Sequence, residues 1–184
     1  MIALLIIVCM FYLITFNCFF MQNSITKTDI VDWFTSSFNN IRYLSNSADN
    51  AYEIIWKHVR HCIDHIDAVL NSAGIIDYPW TRTRGSEIET SFEEFNNRAM
   101  EIIDSLKSND FDLNKDISVI DLNENWEEIK MVSTIGRELY YMIQHTIHHL
   151  AFLKLTLEGQ WIEVKNPDLW KTPSTLAYEE SEKS

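Results

Sequence analysis

Apolar side chains recur at helical intervals in four stretches of this chain. Between Thr28 and Leu44 they fall at Ile30, Phe34, Phe38, Ile41 and Leu44, steps of three and four that line one face of a helix. Polar, turn-forming residues from Ser45 to Asn50 end that stripe. A second helix is predicted from about Asn50 to Asn71, with Ile55, Val59, Cys62, Ile66, Val69 and Leu70 inward and Gly74 as its stop signal. Ser91-x-x-Glu94 has the form of a capping box, in which two side chains satisfy backbone N–H groups at a helix start. It opens a third helix whose inward face is Phe92, Phe95, Ala99, Ile102, Ile103 and Leu106. A fourth runs from about Ser133 to Glu158 and stops at Gly159. Residues 75–89 read as a long connection, and Ile117, Val119 and Ile129 suggest extended pieces too brief to predict a sheet. The tail from Gln160, with Pro167 and Pro173, reads as irregular. No internal repeat or low-complexity segment is present. The expected fold is all-α, a four-helix bundle.

The N-terminal run differs from the rest. No charge occurs from Ile2 to Phe20, and the first charged side chain is Lys27. About twenty apolar residues suffice to span a bilayer. Two readings stand level: a transmembrane anchor, or an upstream translation with Met21 as the true start. A cleaved signal peptide fits less well, because no basic segment precedes the run and no A-x-A site follows it. The expected division is an apolar segment over residues 1–23 and a folded domain over 24–184. The chain would then be cytoplasmic, or anchored to a membrane through residues 1–20 if that segment is genuine.

Composition narrows the partners. Apolar residues make up 46% and charged residues 23% of the 184, as in globular proteins. The net charge of −12, with no basic stripe, argues against nucleic acid, whose binding relies on a Lys/Arg footprint. Cys9 and Cys18 lie in the apolar run and Cys62 stands alone in the body, so no disulfide framework can be drawn there. Cys62 reads as a buried structural thiol.

The candidate chemistry lies in the histidines. All six fall in two clusters, His58, His61 and His65 on the second predicted helix and His145, His148 and His149 on the fourth. At about 100° per residue the first cluster spans an arc of roughly 60° and the second roughly 100°, so each points one way. His145 and His149, four apart, project from one face a turn apart and can reach a single ion. A third imidazole from the facing helix would complete a three-ligand site with a position left for water. A lone H-x-x-x-H pair is weak evidence, since scattered histidines are more often solvated or hydrogen-bonded in a core. Two clusters on two helices, with none elsewhere, favour a divalent-metal site. His145-Thr-Ile-His148-His149 lacks the glutamate of the H-E-x-x-H zinc-protease motif, so that reading fails.

Five segments carry a resemblance. Trp56-Lys-His58-Val-Arg-His61-Cys-Ile-Asp64-His65 is followed by Tyr78-Pro-Trp-Thr-Arg82-Thr-Arg84 and Glu87-Ile-Glu89-Thr90. Together with Arg137-Glu138 through His149-Leu-Ala and the late Pro173-Ser-Thr-Leu-Ala-Tyr178, they resemble a branch of the DinB/YfiT superfamily. The resemblance runs from about residue 28 to 178 and omits residues 1–20. It implies a four-helix bundle and a divalent ion, of the zinc, nickel or manganese type, held by three histidines. Matched by position these are His61, His145 and His149, with the step from His61 to Asp64 setting the register. His58, His65 and His148 then stand beside the ligands or in the pocket.

Lesser candidates surround them. Glu138, seven residues before His145, would orient a ligand imidazole or simply favour the helix start as a solvated carboxylate. Arg82 and Arg84 would bind a substrate carboxylate, although exposed arginines are usually just solvated. Tyr140 and Tyr141 read as packing residues, with one lining the pocket. The resemblance implies a metal-dependent enzyme that activates a water or thiol, by thiol transfer to a small electrophile or by hydrolysis. Its partners would be a small-molecule substrate, with a low-molecular-weight thiol among the candidates, and a second copy of the chain in a homodimer. The alternative is a non-catalytic metal-binding or stress-associated helical module, membrane-tethered if residues 1–20 are genuine. No general base is evident in the sequence.

Overall fold

A computed structural model describes residues 25–47, 52–83 and 85–183. The apolar N-terminal run, Cys9, Cys18 and Arg84 lie outside the described residues, and with them the anchor and alternative-start readings. In chain order the elements are α1 (Lys27–Ser47), α2 (Tyr52–Leu70), β1 (Ile75–Asp77), a 3-10 turn (Glu87–Glu89), α3 (Phe92–Ser108), β2 (Asp116–Leu122), β3 (Glu128–Thr134), α4 (Ile135–Gly159) and α5 (Pro173–Ser181). The protein is thus mostly helical with a small three-stranded sheet. Among the described residues no helix is long and apolar enough to cross a membrane.

The helical stripes form the core. Ile30, Phe34, Phe38, Ile41 and Leu44 of α1 are each at most 2% exposed. They share one apolar cluster with Ile55, Val59 and Ile66 of α2, Phe95 and Ile102 of α3, and Leu139, Met142 and Leu150 of α4. Phe95 is the hub, with Phe38 edge-on at 6.0 Å and Trp56 at 5.5 Å. Edge and tilted geometries suit the ring quadrupoles and add to the gain from burial. At the start of α3 the Ser91 side chain accepts from the Glu94 N–H, half of the expected capping box.

Two expectations are corrected. The fold is not all-α: β1, β2 and β3 form a sheet in that order, β1 parallel to β2 and β2 antiparallel to β3. Ile76 pairs with Val119, and Val119 with Met131. The local pattern concealed this because β1 is only three residues long and β3 is largely exposed. A parallel pair between residues about forty positions apart also leaves no local periodicity. The tail is not wholly irregular either. Pro173 is the first residue of α5, where its missing N–H costs nothing, and the Thr172 side chain caps the Thr175 N–H. Lys171 pairs with Asp168 and Glu179, Leu169 is buried, and its carbonyl accepts from Asn40 of α1.

Gly136 lets α4 begin where it does. Its N–H donates to the Leu113 carbonyl at 2.8 Å. A Cβ added there would lie 2.9 Å from that oxygen and 3.0 Å from Leu113 Cβ. Gly136→Ala should therefore destabilise the fold by about 1–3 kcal/mol, as overpacked sites do, although alanine is ordinarily the better helix former by about 1 kcal/mol. A urea unfolding series on the two proteins checks the sign.

Candidate metal site

The site lies between α2 and α4. His58 meets His149 and His61 meets His145, so the two helices run in opposite directions and their histidines form a ladder. The apolar positions of the same helices fix the register: Val59, Ile63 and Ile66 of α2 and Met142, Ile143 and Leu150 of α4 are all buried. The histidines flank these positions and are drawn partly out of water with them.

Nitrogens converge in the middle of the ladder. His145 Nε2 lies 3.1 Å from His61 Nε2 and 3.1 Å from His149 Nε2. His61, His65 and His145 each offer a ring nitrogen within 4.8 Å of the other two, close enough to hold one metal ion. At the far end His58 Nδ1 and His149 Nδ1 are 2.9 Å apart. His65 stacks on Tyr78 with ring centroids 5.0 Å apart, and both its ring nitrogens are shut from solvent without a hydrogen-bond partner.

Protons alone satisfy this arrangement poorly. His145 Nε2 has two neighbours at hydrogen-bond distance, and its one proton or one lone pair can serve only one of them well. A buried polar nitrogen with no partner costs about 1–3 kcal/mol, as at His65. A cation receiving lone pairs from several imidazoles removes the first difficulty and gives one of the two His65 nitrogens a partner, so the residues present fit a metal. Burial and the neighbouring imidazoles hold His61 down to about 3. The same causes, with Arg82 among the neighbours, hold His65 at about 4, and burial with His145 holds His149 at about 3. Burial also lowers His58 and His145. Neutral imidazole is the form that ligates.

A cavity of about 890 Å³ opens onto one side of the cluster. His61, His65 and His145 line it, with Tyr78, Trp80 and Arg82 on one wall and Trp126, Met131, Arg137 and Tyr141 on the other. His149 and His58 lie behind, against Cys62 and Thr146. Two anchors hold the first wall to α2. The Asp64 carboxylate accepts from the Thr83 N–H at 3.0 Å and from the Thr83 hydroxyl, while Arg60 pairs with both Asp64 and Glu89. Glu138, 1% exposed, accepts from Tyr78 Oη at 2.7 Å, Ser133 Oγ at 2.6 Å and Arg137 at 2.7 Å. Burial and the Glu138 carboxylate push the Tyr78 phenol far upward, so it remains a donor.

The structure thus brings together His61, His145 and His149, and brings His65 into the same group. His58 stands behind His149. His148 is exposed, its ring 5.7 Å from that of His149 and turned to solvent. Glu138 is neither a solvated carboxylate nor the partner of an imidazole; its three partners are Tyr78, Ser133 and Arg137. Arg82 lines the cavity and is exposed, Tyr141 lines it, and Tyr140 packs on Trp33 at 5.5 Å. Cys62 is a buried thiol, its pKa raised to about 12 by desolvation. Sequence reasoning missed Tyr78 as the link between His65 and Glu138, and Trp126 as a wall of the pocket. Only the aromatic richness around Tyr78 hinted at the first. Comparison with known families, curated proteins and solved structures finds no match.

The buried imidazoles make the metal-free protein acid-sensitive. Unfolded histidines take up protons below about 6.5, whereas His61 and His149 resist until about 3 and His65 until about 4. The unfolded state binds more protons between those limits, so stability is intact above pH 6.5 and falls as the pH drops toward 4. Chelator-treated protein should unfold at lower urea at pH 5 than at pH 7, and His61→Asn should shrink the difference.

Proposed function

We propose that this chain is a divalent-metal protein of the DinB/YfiT type, with α1 to α4 as its four-helix bundle and the sheet as an addition to one side. Its ligands in this reading are His61, His145 and His149, and its ion is of the zinc, nickel or manganese type. The observation that carries it is the convergence of imidazole nitrogens about His145 Nε2 beside a cavity large enough for a small molecule. Within that group of ions an all-imidazole donor set suits zinc or nickel better than manganese, which like magnesium and calcium favours oxygen ligands.

The preferred activity is that of a metal-dependent enzyme, acting by thiol transfer to a small electrophile or by hydrolysis. A bound ion of this kind lowers the pKa of a water or thiol and so supplies a nucleophile near neutral pH. The chain's own residues do the rest. His149 Nδ1–H donating to His58 Nδ1, 2.9 Å away, would leave His149 Nε2 free to ligate. Arg82 and Arg137 on the cavity walls suit an anionic substrate, and the Trp80 and Trp126 rings suit an apolar body on it. One observation favours the second reading, a metal-binding module without turnover: His65 adds an imidazole on the cavity side of the cluster.

Metal analysis of protein purified without a histidine tag tests the proposal. A metal bound only by the folded state stabilises it by about 2.7 kcal/mol at a hundredfold excess over Kd. Chelator should therefore lower the melting temperature, and His145→Ala should abolish both the bound metal and the response. Identical melts with and without chelator, on protein shown to contain metal, would count against a folded-state site.

A further inference from the structure

We infer that His65 is a fourth protein ligand, so that the resting metal is held by four imidazoles, His61, His65, His145 and His149. The inference rests on the metal-site reading but not on turnover.

The argument begins with spacing. His61 and His65 on α2 are four residues apart, as are His145 and His149 on α4, so each helix projects two imidazoles one turn apart. Because the helices are antiparallel, the two pairs approach each other as near-equivalents. His61 and His145 stand at the centre, with His149 on one side of them and His65 on the other. The three-histidine set that includes His149 and the one that includes His65 share the same central pair. In the set with His65 the ring nitrogens all lie within 4.8 Å of one another, and in the set with His149 the central His145 Nε2 is 3.1 Å from each of the other two. Four nitrogens around an ion at about 2.0–2.1 Å lie roughly 3.4 Å apart in a tetrahedron. Two separations in the cluster, both 3.1 Å, are already near that value.

The hydrogen bonds separate the roles of the outer two. His149 has an outer partner, with its Nδ1 against His58. His65 has none: both its nitrogens are enclosed and unpartnered, and its ring is held flat against Tyr78. Tyr78 in turn is fixed by Glu138. Coordination would give one nitrogen of this firmly held ring its partner, and that nitrogen already lies in the same group as those of His61 and His145. His65 also lines the cavity, whereas His149 lies behind, so the fourth imidazole takes the position a pocket ligand would otherwise use. A molecule entering the cavity must displace it to reach the ion.

Cobalt loading of the untagged protein tests this. Azide binds cobalt where a position is open or easily opened. The wild-type spectrum should not change with azide, and that of His65→Ala should. His65→Gln, which keeps a polar group against Tyr78, should behave as His65→Ala does and guards against loss of folding. Histidine ¹⁵N spectra of the zinc-loaded wild type should show one metal-shifted nitrogen on each of four rings, His65 included. Azide responses equal in wild type and both variants, or an unshifted His65, would overturn the inference while leaving the three-histidine site intact. Failure of the wild type to take up cobalt, or equal uptake by His145→Ala, would overturn both.

Discussion

Imidazoles caught between two packed helices must stay uncharged, and their nitrogens must still find partners. That constraint governs the region where α2 meets α4. The helices associate through apolar side chains such as Val59, Ile66, Met142 and Leu150, and this packing carries the histidines out of water. Once there, protonation is resisted, as the low values at His61 and His149 express. Partners must then come from other imidazoles or from a cation. The chain answers with more imidazoles: His58 serves His149, and His145 stands between His61 and His149.

The surroundings serve the same end by holding the rings still. Asp64 spends its carboxylate on Thr83 and Arg60, joining the Trp80–Thr83 segment to the helix that carries His61 and His65. Glu138 spends its own on Tyr78, Ser133 and Arg137, joining the phenol under His65 to the helix that carries His145. Both acids are buried and each is satisfied by at least two donors, the condition under which a buried carboxylate is tolerated. Neither is free to accept a proton from a reacting molecule without giving up a partner.

The sequence disclosed the parts of this arrangement that depend on local spacing. The stripes of α1, α2 and α3 could be read from Ile30 to Leu106, and the two histidine clusters could be placed on facing helices. The seven-residue step from Glu138 to His145 suggested contact between them, but Glu138 turns to Tyr78 instead, a residue sixty positions earlier. The family resemblance implies a place for His65 beside the ligands, because its register favours one histidine of α2, whereas distance brings His65 in with His61 and His145. The sheet escaped for a related reason. Its strands are short, its edge strand is exposed, and its register is decided by partners far away in sequence. Local periodicity reports burial on one element, and it is silent about which elements meet.

The cavity has two kinds of wall with different origins. The histidines come from α2 and α4, whose positions are dictated by the core. Much of the opposite wall comes from the β2–β3 hairpin, where Trp126, Met131 and Val132 are largely exposed and contribute little to that core. Exchanging side chains on the hairpin would reshape what the cavity admits while disturbing neither the helices nor the imidazoles. The imidazole cluster and the shape of the cavity are therefore separable in this chain. The first is tied to the folding of the whole molecule, and the second rests on a ribbon that can vary at small cost.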